Sequence, residues 1–382
     1  MRLREKIVAE IRQCGPIPFS RYMEMCLYDA ELGYYSRNAE QFGKAGDFYT
    51  SSDVHAVFGR LLARQLEEMW QVLGRPGQVE ILELGPGRGL FAQDVLDWSE
   101  KKFPGFFTAL HYSLVERSPA LRERLRVTLG RHFDSGRSSL PELTPESSAF
   151  GRSLAPEVPL IVFANEFFDA LPVEMVSPEG QLLISERDGR FVETWGPTSG
   201  EVLDFLDLFS VRPEPGERLE ACLLAQRYAQ CIANLITRGL LVFVDYGYTR
   251  QEQLAGRHRG TLTAYRQHSV SASPYEAPGE QDITTHVNFS SLSAAVERSG
   301  MLAQPLLTQS RFLLGIGEQN QFADAFEDCR LPQERAKVAL QLKHLVTPAG
   351  LGESFQVLVC SRGVESEQVA HLSGLGFGKR HS

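Results

Sequence analysis

The sequence predicts an α/β protein in which helices cover a largely parallel sheet. Short apolar runs have the composition of buried strands, and helix-like segments with a 3.6-residue apolar period lie between them. Three of these runs cover residues 79–84, 160–164 and 240–244, and each leads into glycine-rich or acidic residues. Continuous apolar runs are typical of parallel strands that are buried on both faces.

The composition narrows the class of protein. The chain has 382 residues, 43% of them hydrophobic and 23% charged, which is ordinary for a soluble globular protein. Its six cysteines are dispersed without a C-x-x-C pattern, so neither a disulfide framework nor a zinc site is expected. The sequence shows no signal peptide and no apolar run of membrane-span length, and we expect a cytoplasmic protein. A net charge of −9 disfavours nucleic acid as a partner and favours a basic protein or a small molecule.

The first 75 residues are expected to form a helical segment in front of the main domain. Residues 1–14 and 20–27 have helical spacing, with Ser20 as the N-cap of the second helix. A polar loop with aromatic residues follows, and it is either a surface loop or a lid over a ligand. A longer helix then runs to Gly74.

A glycine-rich turn follows the first central strand. Glu83, Gly85, Gly87 and Gly89 alternate with other residues, and a helix is expected from Leu90 to about residue 102. The turn departs from the dinucleotide fingerprint because Leu90 stands at the place of the third glycine. An acid before the first glycine suits a ligand with a cationic amino acid end, and the helix N-terminus can face that ligand.

Glu116 stands at the end of the second central strand, after residues 110–115. Acids at this place in nucleoside-binding α/β proteins hold the ribose hydroxyls, and one carboxylate can accept from both the 2′ and the 3′ hydroxyl. The alternative is an exposed surface glutamate.

The remainder of the chain continues the alternating pattern with one interruption. Residues 133–159 are expected to form a long loop, and residues 173–196 an antiparallel ribbon inserted into the domain that shapes a substrate cleft. Helices are expected over residues 201–209, 217–237, 291–298 and 332–346, and a last strand over residues 355–360. The residues from about 364 onward are expected to be a frayed tail.

Several stretches together resemble the MidA-like S-adenosylmethionine-dependent methyltransferases. They are residues 46–51, 83–89, 165–172, 245–247, 260–266 with His268, and 282–284 with His286. The resemblance implies a class I methyltransferase fold with a seven-stranded, mostly parallel sheet, a domain over residues 76–362, and S-adenosyl-L-methionine as the cofactor. It also implies protein arginine methylation and a part in respiratory complex I assembly, as in the mitochondrial members.

The resemblance also implies which residues contact the cofactor. It assigns contact to the glycine turn, including Pro86, and to Glu116, in agreement with the interpretation above. It further implies that residues 47–51, with Thr50 among them, close over the cofactor. Ser52 stands where the family often has proline, so the sequence of the predicted lid departs from the family pattern at this position.

The acceptor end of the predicted site lies after the strand of residues 160–164. Glu166 and Asp169 follow that strand, and a carboxylate can hold an arginine guanidinium through two parallel hydrogen bonds. We expect Glu166 to be the guanidinium clamp, Asp169 to assist, and Asn165 to touch the cofactor or the acceptor. Amino-group methyltransferases often have Asn or Asp, two prolines and an aromatic residue at this place, and the absence of the prolines here disfavours a nucleic-acid base as the acceptor. The alternative role for both acids is capping of the next helix.

Three other residues are candidates at the same cleft. His286 is a candidate proton acceptor or a structural histidine, and Asp245 and Tyr246 stand at another strand end that could border the cleft. Two other classes of function stay open at this point. One is a non-catalytic assembly or scaffold protein that retains the fold, and the other is a nicotinamide-dependent oxidoreductase, which Leu90 and the position of Glu83 disfavour.

Overall fold

The computed structural model describes residues 2–37, 56–141, 157–266 and 269–377. Their helices are α1 (Leu3–Cys14), α2 (Phe19–Tyr28), α3 (Tyr34–Arg37), α4 (Ala56–Val72), α5 (Leu90–Lys102), α6 (Pro104–Ala109), α7 (Pro119–Thr128), α8 (Gly130–Asp134), α9 (Gly200–Phe209), α10 (Leu223–Leu235), α11 (Arg250–Leu254), α12 (Phe289–Arg298), α13 (Gln309–Glu318), α14 (Ala323–Phe326), α15 (Pro332–Val346) and α16 (Ser366–Ala370). A single 3₁₀ turn, Ser373–Leu375, follows α16.

The strands of the same residues form three sheets. They are β1 (Ile17–Pro18), β2 (Val79–Leu84), β3 (Leu110–Val115), β4 (Ser138–Ser139), β5 (Leu160–Asn165), β6 (Glu174–Ser177), β7 (Gly180–Arg187), β8 (Arg190–Gly196), β9 (Leu219–Ala221), β10 (Gly239–Tyr248), β11 (Thr263–Arg266), β12 (Ser269–Val270), β13 (Asp282–Thr284), β14 (Val287–Asn288), β15 (Leu302–Ala303), β16 (Leu307–Thr308) and β17 (Phe355–Arg362).

The central sheet has nine strands, seven of them in the order β15-β17-β10-β5-β2-β3-β4, with β14 beside β10 and β16 beside β17. The four pairings from β10 to β4 are parallel, and β17 is antiparallel to both of its neighbours. The strand order reverses between β2 and β5, and ligands bind outside the carboxyl ends of the strands at such a point. The predicted mostly parallel sheet is therefore confirmed, with seven strands along this order, and it places the ends of β2, β3, β5 and β10 at one edge.

Two apolar cores lie on opposite faces of this sheet because successive side chains of a strand point to opposite sides. In β2, Leu82 and Leu84 belong to one core, and Val79 and Ile81 belong to the other. The first core also takes in α1, α2 and the inserted ribbon, whereas the second is covered by α4, α5 and α13. Among the described residues, no helix is both long enough and apolar enough to cross a membrane.

The predicted antiparallel insertion is present and is larger than a two-turn ribbon. Strands β6, β7 and β8 pair antiparallel, β9 extends the sheet beside β6, and β1 from the N-terminal segment pairs with β7. The short strand β9 begins inside the segment that was predicted to be one helix over residues 217–237. That prediction was wrong at its start, because residues 219–221 pair with β6 and α10 begins only at Leu223.

Two local predictions at the ends of the chain differ from the structure. Ser20 is not the N-cap of α2, because Pro18 occupies that position and the Ser20 hydroxyl donates to Glu174. The segment after residue 364 is not frayed over its described part. It forms α16 and the 3₁₀ turn, and Val369, Leu372 and Leu375 are buried against the second core.

Candidate active site at the carboxyl edge of the sheet

The glycine turn after β2 adopts left-handed backbone at each alternate position. The φ angles are 61° at Gly85, 53° at Gly87 and 78° at Gly89, which explains the glycines, since residues with a Cβ rarely adopt this region. The Gly89 amide donates to the Pro86 carbonyl at 2.8 Å, closing the turn in front of α5. A Cβ at Gly85 would lie 3.0 Å from the Phe167 ring, whereas a Cβ at Gly87 would meet no described atom within 4 Å. With respect to the described residues, the turn thus leaves open space beside Gly87 at the N-terminus of α5.

Glu83 is buried in β2 and has a phenol as its neighbour. The Tyr112 hydroxyl on β3 donates to Glu83 Oε2 at 2.8 Å. Burial raises the pKa of Glu83 to about 8, and the bond from Tyr112 opposes that rise. The carboxyl is therefore largely protonated at neutral pH in the ligand-free protein, and a nearby ammonium group would favour its ionised form.

Glu116 follows β3 and borders a cavity of about 310 Å³. Its Oε1 accepts the Ser118 amide at 2.8 Å, and burial raises the pKa of Glu116 to about 7. The other wall of the cavity comes from the N-terminal helices, including Tyr28, Tyr35 and Ser36. Glu116 is therefore not an exposed surface residue, and it faces a space into which a ligand can enter.

The segment after β5 carries a strained backbone at its acid. Glu166 has a φ of 49°, which is unusual for a residue with a long side chain, and its amide donates to the Val244 carbonyl at 3.0 Å. The Asn165 amide nitrogen donates to Glu166 Oε1 at 3.1 Å. The Asn165 Oδ1 is buried and has no hydrogen-bond partner among the described residues. Backbone strain clusters at active sites and ligand clamps, and a buried acceptor without a donor is uncommon, so both features make this segment a candidate site.

Asp245 anchors this segment from the neighbouring strand β10. Its Oδ2 accepts the amides of Phe167, Phe168 and Asp169 at 3.0–3.3 Å, and its Oδ1 accepts the amide of Tyr246 at 3.0 Å. Burial raises the pKa of Asp245, and the backbone amides oppose the rise. Asp245 is therefore committed to the backbone, where it holds residues 167–169 in place.

Asp169 lies against Tyr246 with one of its oxygens unpaired. The Tyr246 hydroxyl donates to Asp169 Oδ2 at 2.5 Å, and Asp169 Oδ1 is buried without a hydrogen-bond partner in the described part of the chain. Burial raises the pKa of Asp169 to about 6, which leaves the carboxylate ionised at neutral pH. Neither Asp169 nor Glu166 caps a regular helix, since β6 follows after a turn. The alternative capping role is thus not observed.

The N-terminal helices connect the Glu116 side with the Asp169 side. The Ser118 hydroxyl donates to the backbone carbonyl of Tyr35 at 2.9 Å, and the Tyr35 hydroxyl donates to Asp282 at 2.9 Å. The Tyr28 hydroxyl donates to the carbonyl of Ala170 at 3.0 Å, next to Asp169. The two tyrosine rings lie 5.4 Å apart, so together they form one wall between the two groups of acids.

His286 has a histidine as its hydrogen-bonding partner. Its Nδ1 lies 3.1 Å from the Nδ1 of His258, and its ring packs edge-on against Tyr246 with centroids 5.3 Å apart. Burial and His258 lower the pKa of His286 to about 4. The imidazole is therefore neutral at physiological pH and a weak base. The His286 ring reaches the Asp169 side chain through the Tyr246 ring, and the amide of the preceding residue, Thr285, donates to the Asp169 carbonyl at 2.9 Å. The role of His286 as a proton acceptor stays a prediction.

Some predicted site residues lie outside the described ranges, and some contacts were missed. Thr50 with the rest of the predicted lid, residues 47–51, and His268 are not among the described residues. The Glu83–Tyr112 contact was not predicted, because it depends on strand register: Glu83 pairs with Leu114, and Tyr112 points to the same face as Leu114. No pattern in the sequence indicated the role of Asp245 as a backbone anchor.

The chain is similar to known methyltransferases over most of its length. Residues 61–306 match a family model described as "Putative S-adenosyl-L-methionine-dependent methyltransferase". Among curated proteins, it is 30% identical to "Protein arginine methyltransferase NDUFAF7, mitochondrial" of Danio rerio, covering 96% of this chain and 88% of the relative. It is 28% identical to the mitochondrial NDUFAF7 homolog of Drosophila melanogaster, covering 98% and 88%.

Solved structures show the same fold. A Burkholderia thailandensis protein crystallised with S-adenosyl-homocysteine is 29% identical, has a TM-score of 0.79, and is matched over 97% of this chain and 94% of its own. A native crystal structure of a protein from the same organism has a TM-score of 0.78 at 28% identity, with 97% of this chain and 93% of that chain covered. The predicted class I methyltransferase fold is confirmed.

The residues at the sheet edge fit S-adenosyl-L-methionine as the cofactor. The open space beside Gly87, the acid Glu83 beneath the turn, the cavity beside Glu116 and the unpaired Oδ1 of Asn165 provide a surface of matching chemistry. When bound, the cofactor supplies an electrophilic methyl group on a sulfonium.

One prediction is corrected by the comparisons. The curated relatives from Danio rerio, Drosophila melanogaster and Mus musculus are named as mitochondrial, which contradicts the cytoplasmic location expected from the sequence. The enzymatic prediction, by contrast, is confirmed at the level of the family. The sheet order, the glycine turn with its acids and the match over residues 61–306 agree, and the chain belongs to the S-adenosyl-L-methionine-dependent methyltransferase family of that model.

Proposed function

We propose that this methyltransferase transfers the methyl group to an arginine side chain of a protein. The observation that carries the proposal is the pair of acids after β5: Glu166 on a strained backbone, and Asp169 with a buried, unpaired oxygen. A guanidinium offers five N–H donors in a planar fork and stays protonated at any physiological pH, so it can satisfy carboxylates of this kind. The curated relatives are named protein arginine methyltransferases, which supports the same acceptor.

We propose that Glu166 holds two guanidinium nitrogens and leaves the third free to receive the methyl group. The positive charge is then drawn toward the paired nitrogens, and the free nitrogen becomes the better nucleophile. This nitrogen forms a bond to the methyl carbon and loses one proton, while the electron pair of the broken carbon–sulfur bond stays on sulfur. We propose that Asp169 accepts that proton, and the support is its buried oxygen on a carboxylate with a pKa of about 6.

We propose that Glu83, Gly85, Pro86, Gly87, Gly89, Glu116 and Asn165 contact the cofactor, with Thr50 from the lid segment. Within this set, Glu83 faces the amino acid end and Glu116 the ribose. The supporting observations are the left-handed glycine turn and the cavity beside Glu116.

The proposed acceptor is a basic segment of a protein, and a subunit of respiratory complex I is the first to test because the family resemblance implies it. The purified protein would be incubated with methyl-labelled S-adenosyl-L-methionine and arginine-containing peptides, and with the same peptides carrying lysine in place of arginine. We expect label only in the arginine peptides, recovered as methylarginine after hydrolysis. Label in the lysine peptides, or binding of the cofactor without transfer to any protein of a lysate from cells that contain complex I, would contradict the proposal.

A matched pair of variants tests the clamp. Glu166→Gln should abolish transfer while the dissociation constant for the cofactor stays nearly unchanged, because the charge that holds the guanidinium is lost but the fold around the glycine turn is not altered. Glu123→Gln, on an exposed helix surface, serves as the control. Retained transfer by the Glu166 variant would remove this residue from the mechanism.

A further inference from the structure

We infer that Tyr246 is a positioning residue for acceptor recognition: its phenol fixes Asp169 in one orientation, so that a single carboxylate oxygen remains for the guanidinium. This inference rests on the proposed arginine acceptor and extends it to a residue that the reaction itself does not require. Tyr246 follows Asp245 on β10, so one strand end supplies both the anchor for the backbone of residues 167–169 and the partner for the Asp169 side chain.

The two oxygens of Asp169 have different surroundings. Oδ2 accepts the short bond from the Tyr246 hydroxyl at 2.5 Å, whereas Oδ1 is buried and has no partner in the described ranges. A buried carboxylate oxygen without a donor is costly, so a ligand that donates to Oδ1 would stabilise this arrangement. With Oδ2 occupied, the side chain cannot rotate without breaking a charge-assisted bond, so Oδ1 is presented at a fixed position.

Tyr246 is itself held on both sides by aromatic rings. Its ring packs edge-on against His286 and against Phe355, with centroids 5.3 Å and 5.5 Å away. Packing on two sides restricts the ring to few orientations and aims the hydroxyl at Asp169. The neutral His286 thus has a place in the site as packing for Tyr246, which its contacts support more directly than proton transfer.

The pH dependence of acceptor binding separates positioning from mere packing. The Tyr246 bond stabilises the charged form of Asp169, so its removal should raise the pKa of that carboxyl. The guanidinium keeps its charge between pH 5 and pH 8, and any change in affinity over that range reports the protein groups. The titratable groups that face Asp169 and Tyr246 are Glu166 from the same segment, Asp245 on β10, Asp282 on β13, Tyr28 and Tyr35 from the N-terminal helices, and His286 with His258.

The test measures binding of an arginine peptide to the protein saturated with S-adenosyl-homocysteine, by calorimetry between pH 5 and pH 8. In the unchanged protein the affinity should fall as the pH drops below about 6, because Asp169 becomes protonated. In Tyr246→Phe the midpoint should move upward by about one pH unit, as expected for the loss of one bond to a charged group. The affinity for S-adenosyl-homocysteine should not change.

Two further variants complete the design. Tyr248→Phe removes another buried hydroxyl from β10, one that contacts Gln253 and not Asp169, and should leave the midpoint where it is. Asp169→Asn should remove the transition from the binding curve. A midpoint that stays unmoved in Tyr246→Phe while the unchanged protein binds arginine peptides would overturn this inference alone. Absence of arginine-peptide binding by the unchanged protein would overturn the proposed function and this inference with it.

Discussion

Binding of S-adenosyl-L-methionine should release a proton from Glu83. In the ligand-free protein this carboxyl is buried, its described hydrogen bond comes from the Tyr112 phenol, and its pKa is about 8. If the ammonium group of the cofactor lies beside it, the ionised carboxylate gains an opposite charge in a medium of low polarity, and its pKa must fall. The proton that leaves is measurable without any knowledge of the acceptor.

The size of the effect follows from the two pKa values in the site. With a pKa of about 8, Glu83 is about nine-tenths protonated at pH 7, so its full ionisation releases about 0.9 proton. Glu116, with a pKa of about 7, contributes about half a proton if the ribose hydroxyls also favour its charged form. Because binding releases protons, the affinity for the cofactor should rise with pH. For Glu83 alone the rise should be up to about tenfold per pH unit between pH 6 and pH 8, and the affinity should level off above the pKa of Glu83 in the ligand-free protein.

Calorimetric titration at pH 7 in phosphate and in Tris measures the released protons, because the two buffers take them up with different enthalpies. The unchanged protein should release about 1.4 protons, Glu83→Gln about 0.5 and Glu116→Gln about 0.9, as the ionised fractions require. Glu123→Gln again serves as the surface control. Equal proton release by the unchanged protein and by Glu83→Gln would show that Glu83 does not meet the cationic end of the cofactor.

Three other changes have expected outcomes of defined size. Gly87→Ala should lower the free energy of unfolding by only about 1 kcal/mol, the cost of a left-handed residue with a Cβ. It should nevertheless weaken cofactor binding at least tenfold on calorimetric titration, because the added methyl enters the space beside the turn where we expect the cofactor. Unchanged affinity would show that the cofactor binds elsewhere. Asp245→Asn should lower the free energy of unfolding in urea by about 2–3 kcal/mol, since an amide cannot accept from all four backbone N–H groups. A decrease below about 0.5 kcal/mol would contradict its anchoring role. Leu372→Ala should lower the free energy of unfolding by about 2–5 kcal/mol in the same measurement, because this side chain is buried in the second core. An unchanged free energy of unfolding would support the prediction from the sequence that this segment is a frayed tail.

Much of the sheet was predictable because buried parallel strands consist of continuous runs of apolar residues. Strand β2 and helix α5 have the predicted bounds, since a glycine turn separates two different apolar periods at that point. Helix α15 was equally clear, with Pro332 at its first turn. These elements are determined by residues that are close in sequence.

The errors occur where distant residues decide the structure. Residues 219–221 have a helical composition but pair with β6, about 45 residues earlier in the chain, so a tertiary contact overrides local preference. The apolar residues of the segment after residue 364 form no clear periodic pattern, so the sequence alone did not predict its structure. The segment is held by α4, where Gln65 and Glu68 accept the amides of Gly374 and Ser373.

The candidate site shows the same division between local and distant information. The acids at the strand ends were identifiable because they follow apolar runs directly. Their partners were not, because Tyr112 meets Glu83 through sheet register, and Tyr246 meets Asp169 from a strand 77 residues further along the chain. A single sequence contains the residues of such pairs but not their pairing.

The anchoring of residues 167–169 by Asp245 has a consequence for how this enzyme can diversify. The antiparallel insertion begins immediately after this segment, at β6, yet the segment is fixed by a carboxylate from the central sheet and not by the insertion. Changes in length or sequence between β6 and β9 can therefore accumulate without loss of the hydrogen bonds that hold residues 167–169. The insertion is thereby free to vary in evolution while the strand ends of the central sheet keep their geometry.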